Sequence, residues 1–150
     1  MATWGEFEQA APALAQAGRR LWDEIDLGYL ATTGKDGAPR VHSVVIVIAD
    51  GQLAVAVGTE SPKFRDLQGD GRLALHSPPI SADDEQLLLR GGALPANDAP
   101  RRTQFAAAAP YQLKGNEFIF DLDIQQALWT TWHHPGQADT HPIHRRWPKR

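Results

Sequence analysis

The chain has 150 residues, 15 Lys and Arg against 18 Asp and Glu for a formal charge of −3, and 42% hydrophobic against 22% charged residues. A chain of this size and balance holds a core of its own, and with no cysteine it has no disulfide framework, Cys nucleophile or thiolate metal site. The slight acidity lacks the broad positive field that non-specific nucleic-acid binding requires; the longest apolar run, Val44 to Ala49, is far short of the ~20 residues of a membrane span, and with Glu6 and Glu8 near the start, where a signal peptide is basic, the expected location is the cytoplasm.

In chain order, Thr3-Trp4-Gly5-Glu6 is spaced for a capping box and starts a helix. Pro12 suits the first position of a second helix, along which Leu14, Ala17, Leu21, Trp22 and Ile25 recur at three- and four-residue spacing. From Leu27 the pattern turns to short β-rich runs: Gly28 to Thr33, a hairpin turn at Lys35-Asp36-Gly37, and a return strand from Pro39 to Ile48. The unbroken β-branched run Val44 to Ile48 predicts a strand covered on both faces. A small barrel struggles to cover both, so a homodimer is expected. Asp50-Gly51 leads to a strand at Leu53 to Val57, and further strands are predicted at Arg72 to His76, around Leu87 to Leu89, and at Glu117 to Leu122. Helix signals interrupt at Ser61 to Gln68 and at Asp98 to Ala109, where Asp98 is the cap. The tail from His133 reads as loop with at most a short closing strand at Ile143 to Trp147. The sum is one mainly β domain: helices over about 3–26, a small antiparallel barrel over about 27–132, and a tail over 133–150.

No dinucleotide fingerprint, P-loop or zinc-protease motif is present. The segment Thr59-Glu60-Ser61-Pro62-Lys63-Phe64-Arg65-Asp66-Leu67 follows a strand directly. Ser61 is a good N-cap and Pro62 a good first helical residue, so the amides of the first turn point beyond the strand end. Lys63 and Arg65 then stand where the helix dipole disfavours cations. An anion at the helix start reverses that sign, and Arg40, on the neighbouring strand, can complete its site with a planar fork. The competing reading is a capped surface helix with solvated charges. His42 alternates with Val41 and Ser43 and reads as a hydrogen-bonded wall residue. For His133, His134, His141 and His144, no helix aligns the rings and no acidic or Cys partner is evident, so no metal site is expected.

Five pieces occur in order between residues 27 and 77: Leu30-Ala31-Thr32-Thr33, Asp36-Gly37-Ala38-Pro39-Arg40-Val41, Asp50-Gly51-Gln52-Leu53, Ser61-Pro62-Lys63-Phe64-Arg65-Asp66-Leu67 and Gly71-Arg72-Leu73-Ala74-Leu75. This order resembles the pyridoxamine 5'-phosphate oxidase-like family of flavin-binding split β-barrels, and His144 to Trp147 resembles its Trp-containing closing strand. The resemblance implies a six-to-seven-stranded antiparallel split barrel with short flanking helices, and a homodimer with FMN at the subunit interface. It further implies an oxidoreductase that moves a hydride through the flavin to or from a small molecule. By the same resemblance the phosphate is held by Arg40, Ser61 and Lys63, the strand of His42 and Val44 runs along the flavin ring, Thr59 lies near its polar edge, and Trp147 folds back near the cofactor. The Arg- and His-containing substrate motif near the C-terminus of true pyridoxamine phosphate oxidases is not cleanly present, so vitamin B6 oxidation is not expected. Relatives on this fold also bind a deazaflavin coenzyme or haem. The alternatives are therefore a deazaflavin-dependent reductase or a non-enzymatic flavin or haem carrier or sensor, where for haem a tail histidine would be the axial ligand.

Overall fold

A computed structural model describes residues 1–80 and 82–149. Local signals set the helices. In α1 (Trp4–Ala10) the Thr3 amide donates to Glu6 Oε2 at 2.8 Å and the Glu6 amide to Thr3 Oγ1 at 3.2 Å, the predicted reciprocal cap. Pro12 opens α2 (Pro12–Asp23), Ser61 caps α3 (Pro62–Gly69), and Asp98 caps α4 (Ala99–Ala108).

Among the described residues eight strands form one antiparallel sheet: β1 (Leu27–Thr33), β2 (Pro39–Val45), β3 (Val47–Ala49), β4 (Gln52–Gly58), β5 (Arg72–His76), β6 (Gln86–Pro95), β7 (Glu117–His133) and β8 (His141–Trp147). The spatial order is β2-β1-β5-β6-β7-β4-β3, with β8 on the far half of β7. The sheet curls but does not close, as in a split barrel. The described residues thus hold one strand more than the sequence pattern suggested, and the four helices stand where they were predicted.

The expected single strand from Pro39 to Ile48 is two. At Ile46, whose amide donates to Asp26 O at 2.9 Å, the chain leaves β1, the partner of β2, and takes β4 as the partner of β3. The run is covered on both faces, but by this chain itself. Val44 and Ile46 enter the main core, while Val47 joins a second cluster with Ala54, Ile119 and Phe105 of α4. The ground given for a dimer from this run therefore falls away: α4 supplies the cover.

β7 runs much further than Glu117 to Leu122 because it serves two partners. Residues 117–121 pair with β4 and residues 127–133 with β8, while β6 spans the middle, pairing with residues 120–130. Between the halves the register with β6 shifts at Arg90/Gly91, so that Gln125 is left over. This bulge bends β7 from one partner toward the other. The closing strand expected at Ile143 to Trp147 is present and begins two residues earlier, at His141. The main core is closed by α1 and α2: Trp4 and Trp22 meet edge to face at 6.1 Å, and Phe7 meets Trp147 at 5.2 Å. Among the described residues no helix is long and apolar enough to cross a membrane.

Candidate functional site

Strand alternation on β2 decides which residues meet α3. Arg40, His42 and Val44 lie opposite Thr32, Leu30 and Gly28 of β1, all buried, whereas Val41 and Ser43 point the other way and are exposed. On the inner face, Asp66 of α3 is buried and accepts hydrogen bonds from Thr32 Oγ1 and Arg40 Nε, both at 2.8 Å. The Arg40 guanidinium first, with the Thr32 hydroxyl helping, holds the Asp66 carboxyl below the usual carboxylate range against the opposing effect of burial.

That bond uses only Nε of Arg40. Among the described residues the two terminal nitrogens have no partner, and the side chain remains 43% exposed. Lys63, half-buried in the first turn of α3, makes no ion pair among the described residues, and that turn holds no acidic residue. Ser61 Oγ accepts from the Lys63 amide at 3.3 Å. His42 lies between these cations: burial first, then the charges of Lys63 and Arg40, push its pKa below the ordinary histidine value, with Asp66 opposing. Among the described residues its buried Nε2 has no hydrogen-bond partner. Alongside, a cavity of about 610 Å³ is lined by Arg40, Asp66 and Arg65, with Lys35 and Arg72 at its rim. Arg72 is already paired with Asp70, whose carboxyl is drawn down to about 2 by that contact.

The structure thus brings Arg40, His42, Ser61 and Lys63 together at one end of the barrel. Thr59 sits at the adjoining β4–α3 turn, exposed, its amide donating to Asn116 O at 3.0 Å. Val44 shares the strand face but is 5% exposed and packed in the core, so its side chain has almost no surface to offer a ring. Trp147 is on β8 opposite Ala127, against Phe7, and borders a separate cavity of about 400 Å³ with Leu88, Arg90 and Arg146. Within one chain it does not join the Arg40 cluster. Sequence reading missed Asp66 and Thr32 as the pair that positions Arg40. Asp66 lies inside the quoted Ser61 to Leu67 motif, but its partners are 26 and 34 residues away. The tail histidines are not scattered either: the β7–β8 turn gathers His133, His134 and His141, with Asp139 as the acidic partner that was not evident in the sequence.

The family model for pyridoxamine 5'-phosphate oxidase matches residues 14–129, well over half of the chain. The chain belongs to this family. Among solved structures, a haem-binding protein from Mycobacterium smegmatis superposes with a TM-score of 0.65 at 19% identity, covering 88% of this chain and 58% of that longer one. A Clostridium acetobutylicum protein of the pyridoxinephosphate oxidase family, related to general stress protein 26 of B. subtilis, gives a TM-score of 0.66 at 12% identity over 89% of this chain and 94% of its own. An F420 reductase gives 0.56 at 16% identity over 73% and 94%. At these identities the likeness is one of fold. No curated protein sequence matches the chain.

Proposed function

We propose that this protein is an FMN-dependent oxidoreductase whose cofactor phosphate is held by Arg40, Ser61 and Lys63. One observation carries the reading: at the N-terminus of α3, uncommitted cationic groups of Arg40 and Lys63 flank a buried, partnerless His42 Nε2. A buried polar atom without a partner calls for an explanation, and at His42, unlike at the buried indoles of Trp4 and Trp22, uncommitted cations stand beside it. A phosphate suits this end of the barrel because first-turn amides, a Ser hydroxyl and two cations all favour an anion there. Asp66 fixes the Arg40 fork through Nε while leaving its outer edge for the ligand. His42, kept neutral by burial and by its cationic neighbours, offers a hydrogen bond without adding charge. Thr59, at the adjoining turn, is assigned to the polar edge of the ring by the family pattern. When bound, the flavin ring supplies hydride transfer to or from a small-molecule substrate, and the chain supplies position and electrostatics.

The family pattern places the cofactor between two copies of the chain, and one surface supports a homodimer here. On the outer face of β2 and β1, Val41 is 64% exposed opposite Ala31, and Tyr29 is 42% exposed opposite Ser43. The stripe continues across His76, Leu88 and Leu128 on the neighbouring strands. A second copy on this face would sit one strand thickness from Arg40 and His42.

The deazaflavin reading shares the phosphate logic, and the F420 reductase neighbour favours keeping it. The haem reading is supported by the Mycobacterium smegmatis neighbour. Its expected axial ligand gains no support, since none of the tail histidines lines the Arg40 cavity. The test compares FMN with riboflavin in the wild type, Arg40→Ala and Lys63→Ala. Loss of one charge-assisted contact, about 1.5–3 kcal/mol, weakens FMN roughly tenfold to 150-fold. Riboflavin, lacking the phosphate, is nearly unaffected. Folded variants that hold FMN as tightly as the wild type overturn the assignment. The absorbance of the protein as purified separates the readings: two flavin bands, one deazaflavin band, or a haem Soret band.

A further inference from the structure

We infer that the β7–β8 turn is a binding site for a first-row divalent metal of the zinc type, with His133, His134, Asp139 and His141 as its ligands. In an extended strand, consecutive side chains point to opposite faces, so His133 and His134 would ordinarily diverge. They do not, because His134 has φ +47°, in the left-handed region, as the chain leaves β7. The two rings lie 3.7 Å apart between centroids. His141, the first residue of β8, is the register partner of His133, which sets those rings 4.8 Å apart. Asp139 enters from the turn, its carboxylate 2.8 Å from His134 Nδ1.

One donor atom each from His133, His134 and Asp139 lies within 4.8 Å of the other two. Ligands of a tetrahedral zinc ion are roughly 3.3–3.5 Å apart at the usual bond lengths. Rotation of these exposed side chains would close that gap, with His141, whose ring lies beside that of His133, swinging in as the fourth donor. The hydrogen bond of His141 already suits a metal. His141 Nδ1 is 3.1 Å from the Asp139 carbonyl, which can only accept, so Nδ1 carries the proton and Nε2 presents its lone pair. A backbone carbonyl holding the other ring nitrogen in this way is the usual support of a metal-bound histidine. Three imidazoles with one carboxylate suit Zn²⁺, Ni²⁺ or Cu²⁺, and are too soft and too weakly charged for Ca²⁺ or Mg²⁺. Since β8 pairs only with β7 among the described residues, a metal here would clasp that ladder at its turn end.

The experiment titrates the full-length protein, free of any affinity tag, with Zn²⁺ by calorimetry, and with Co²⁺ by visible absorption as a report of tetrahedral geometry. The expected result is one Zn²⁺ per chain with a tetrahedral Co²⁺ spectrum, and no comparable binding of Ca²⁺. Binding should weaken at least tenfold in His134→Ala and in Asp139→Asn. Asp139 is exposed and on a turn, so its conservative variant leaves the fold intact. His144→Ala is the control: that ring lies on the same strand but contacts Thr130 Oγ1 at 3.0 Å, outside the cluster. It should bind as the wild type does. Absence of stoichiometric Zn²⁺ binding overturns the inference, as do unchanged affinity in both ligand variants, equal loss in His144→Ala, or Ca²⁺ binding as tight as Zn²⁺. None of these outcomes bears on the flavin reading, because the turn shares no residue with the Arg40 site.

Discussion

Replacing Gly91 by alanine, with Gly92→Ala beside it, measures how firmly the β7 bulge is built. The two glycines are neighbours on β6, and both substitutions remove similar freedom from the unfolded chain, which by itself stabilises by about 0.4–1 kcal/mol. Their surroundings differ sharply. A Cβ on Gly92 meets nothing nearer than Gly71 O at 3.8 Å, an ordinary contact. A Cβ on Gly91 falls 1.8 Å from Asp123 O and 2.9 Å from Asp123 C. The first distance is far inside the 3.0 Å below which real Cβ atoms are essentially never found, and the obstacle is backbone, which cannot rotate aside. Either the bulge slides by more than an ångström or the β6–β7 ladder opens. Overpacking a core by a methylene costs about 1–3 kcal/mol where side chains can yield, so the cost here is about 3 kcal/mol or more. For a chain of this length that is roughly 6–12 °C in Tm. Thermal and urea unfolding of both variants decide the matter: Gly92→Ala should be neutral or slightly stabilising and Gly91→Ala strongly destabilising. Equal stabilities would refute the claim that the bulge, rather than general strand flexibility, turns β7 from β4 toward β8.

Two further outcomes are expected. Asp66→Ala leaves the buried Thr32 hydroxyl without its acceptor and Arg40 without its anchor, so stability at neutral pH should fall by about 1–3 kcal/mol, as read by urea denaturation. Because the Asp66 carboxyl is held below its ordinary value, that difference is complete above the unfolded pKa of ~3.9 and shrinks as the pH falls through the lower folded value; a gap that persists in acid would contradict the assignment. Val41→Asp places a charge on the stripe at its well-exposed β2 valine and should convert a dimeric wild type to monomer in light scattering, whereas a monomeric wild type or an unchanged dimeric variant would count against that face as the interface.

What the sequence could reveal follows from where each signal resides. Helix starts were readable because Thr3 with Glu6, Ser61 with Pro62, and Asp98 are caps that act within three residues. The hairpin turns at Asp36-Gly37 and Asp50-Gly51 were readable because glycine supplies positive φ there, 85° and 72°. The change of partner at Ile46 was hidden. A β-branched residue fits a strand equally well whichever neighbour it pairs with, and only Asp26 and β4, met in three dimensions, decide. The full extent of β7 and β8 was hidden for the same reason, since their register depends on a bulge opposite Gly91. At the site, Lys63 and Arg65 stood out through the unfavourable placement of cations at a helix start, which drew in Ser61 as its cap and Arg40 on the neighbouring strand. Asp66 did not, because an acidic residue in mid-helix is unremarkable until its partners on β1 and β2 are known. The histidines of the β7–β8 turn looked unrelated because the left-handed residue that gathers them is His134 itself rather than a glycine.

The Arg40–Asp66 pair bears on why an arginine stands at the start of β2. In a free chain an exposed ion pair contributes little, and Arg40 is too exposed for its bond to Asp66 to account for much stability by itself. Its geometry is more telling than its energy. The guanidinium is a rigid plane with five donors, and Asp66 engages it through Nε, on the inner side. The outer nitrogens are thereby aimed away from α3's buried carboxylate and held there before any ligand arrives. Fixing a donor in advance reduces the ordering cost of binding an anion, and that advantage survives even where the ion pair itself is nearly neutral for folding. A lysine at this position could pair with Asp66 or reach an anion, but one compact ammonium could not serve both directions in a fixed plane. Thr32, whose hydroxyl donates to the same Oδ2 as Arg40 Nε, steadies the carboxylate that does the aiming. On this reading the buried acid and hydroxyl set the direction of binding, and the cations at the surface supply its strength.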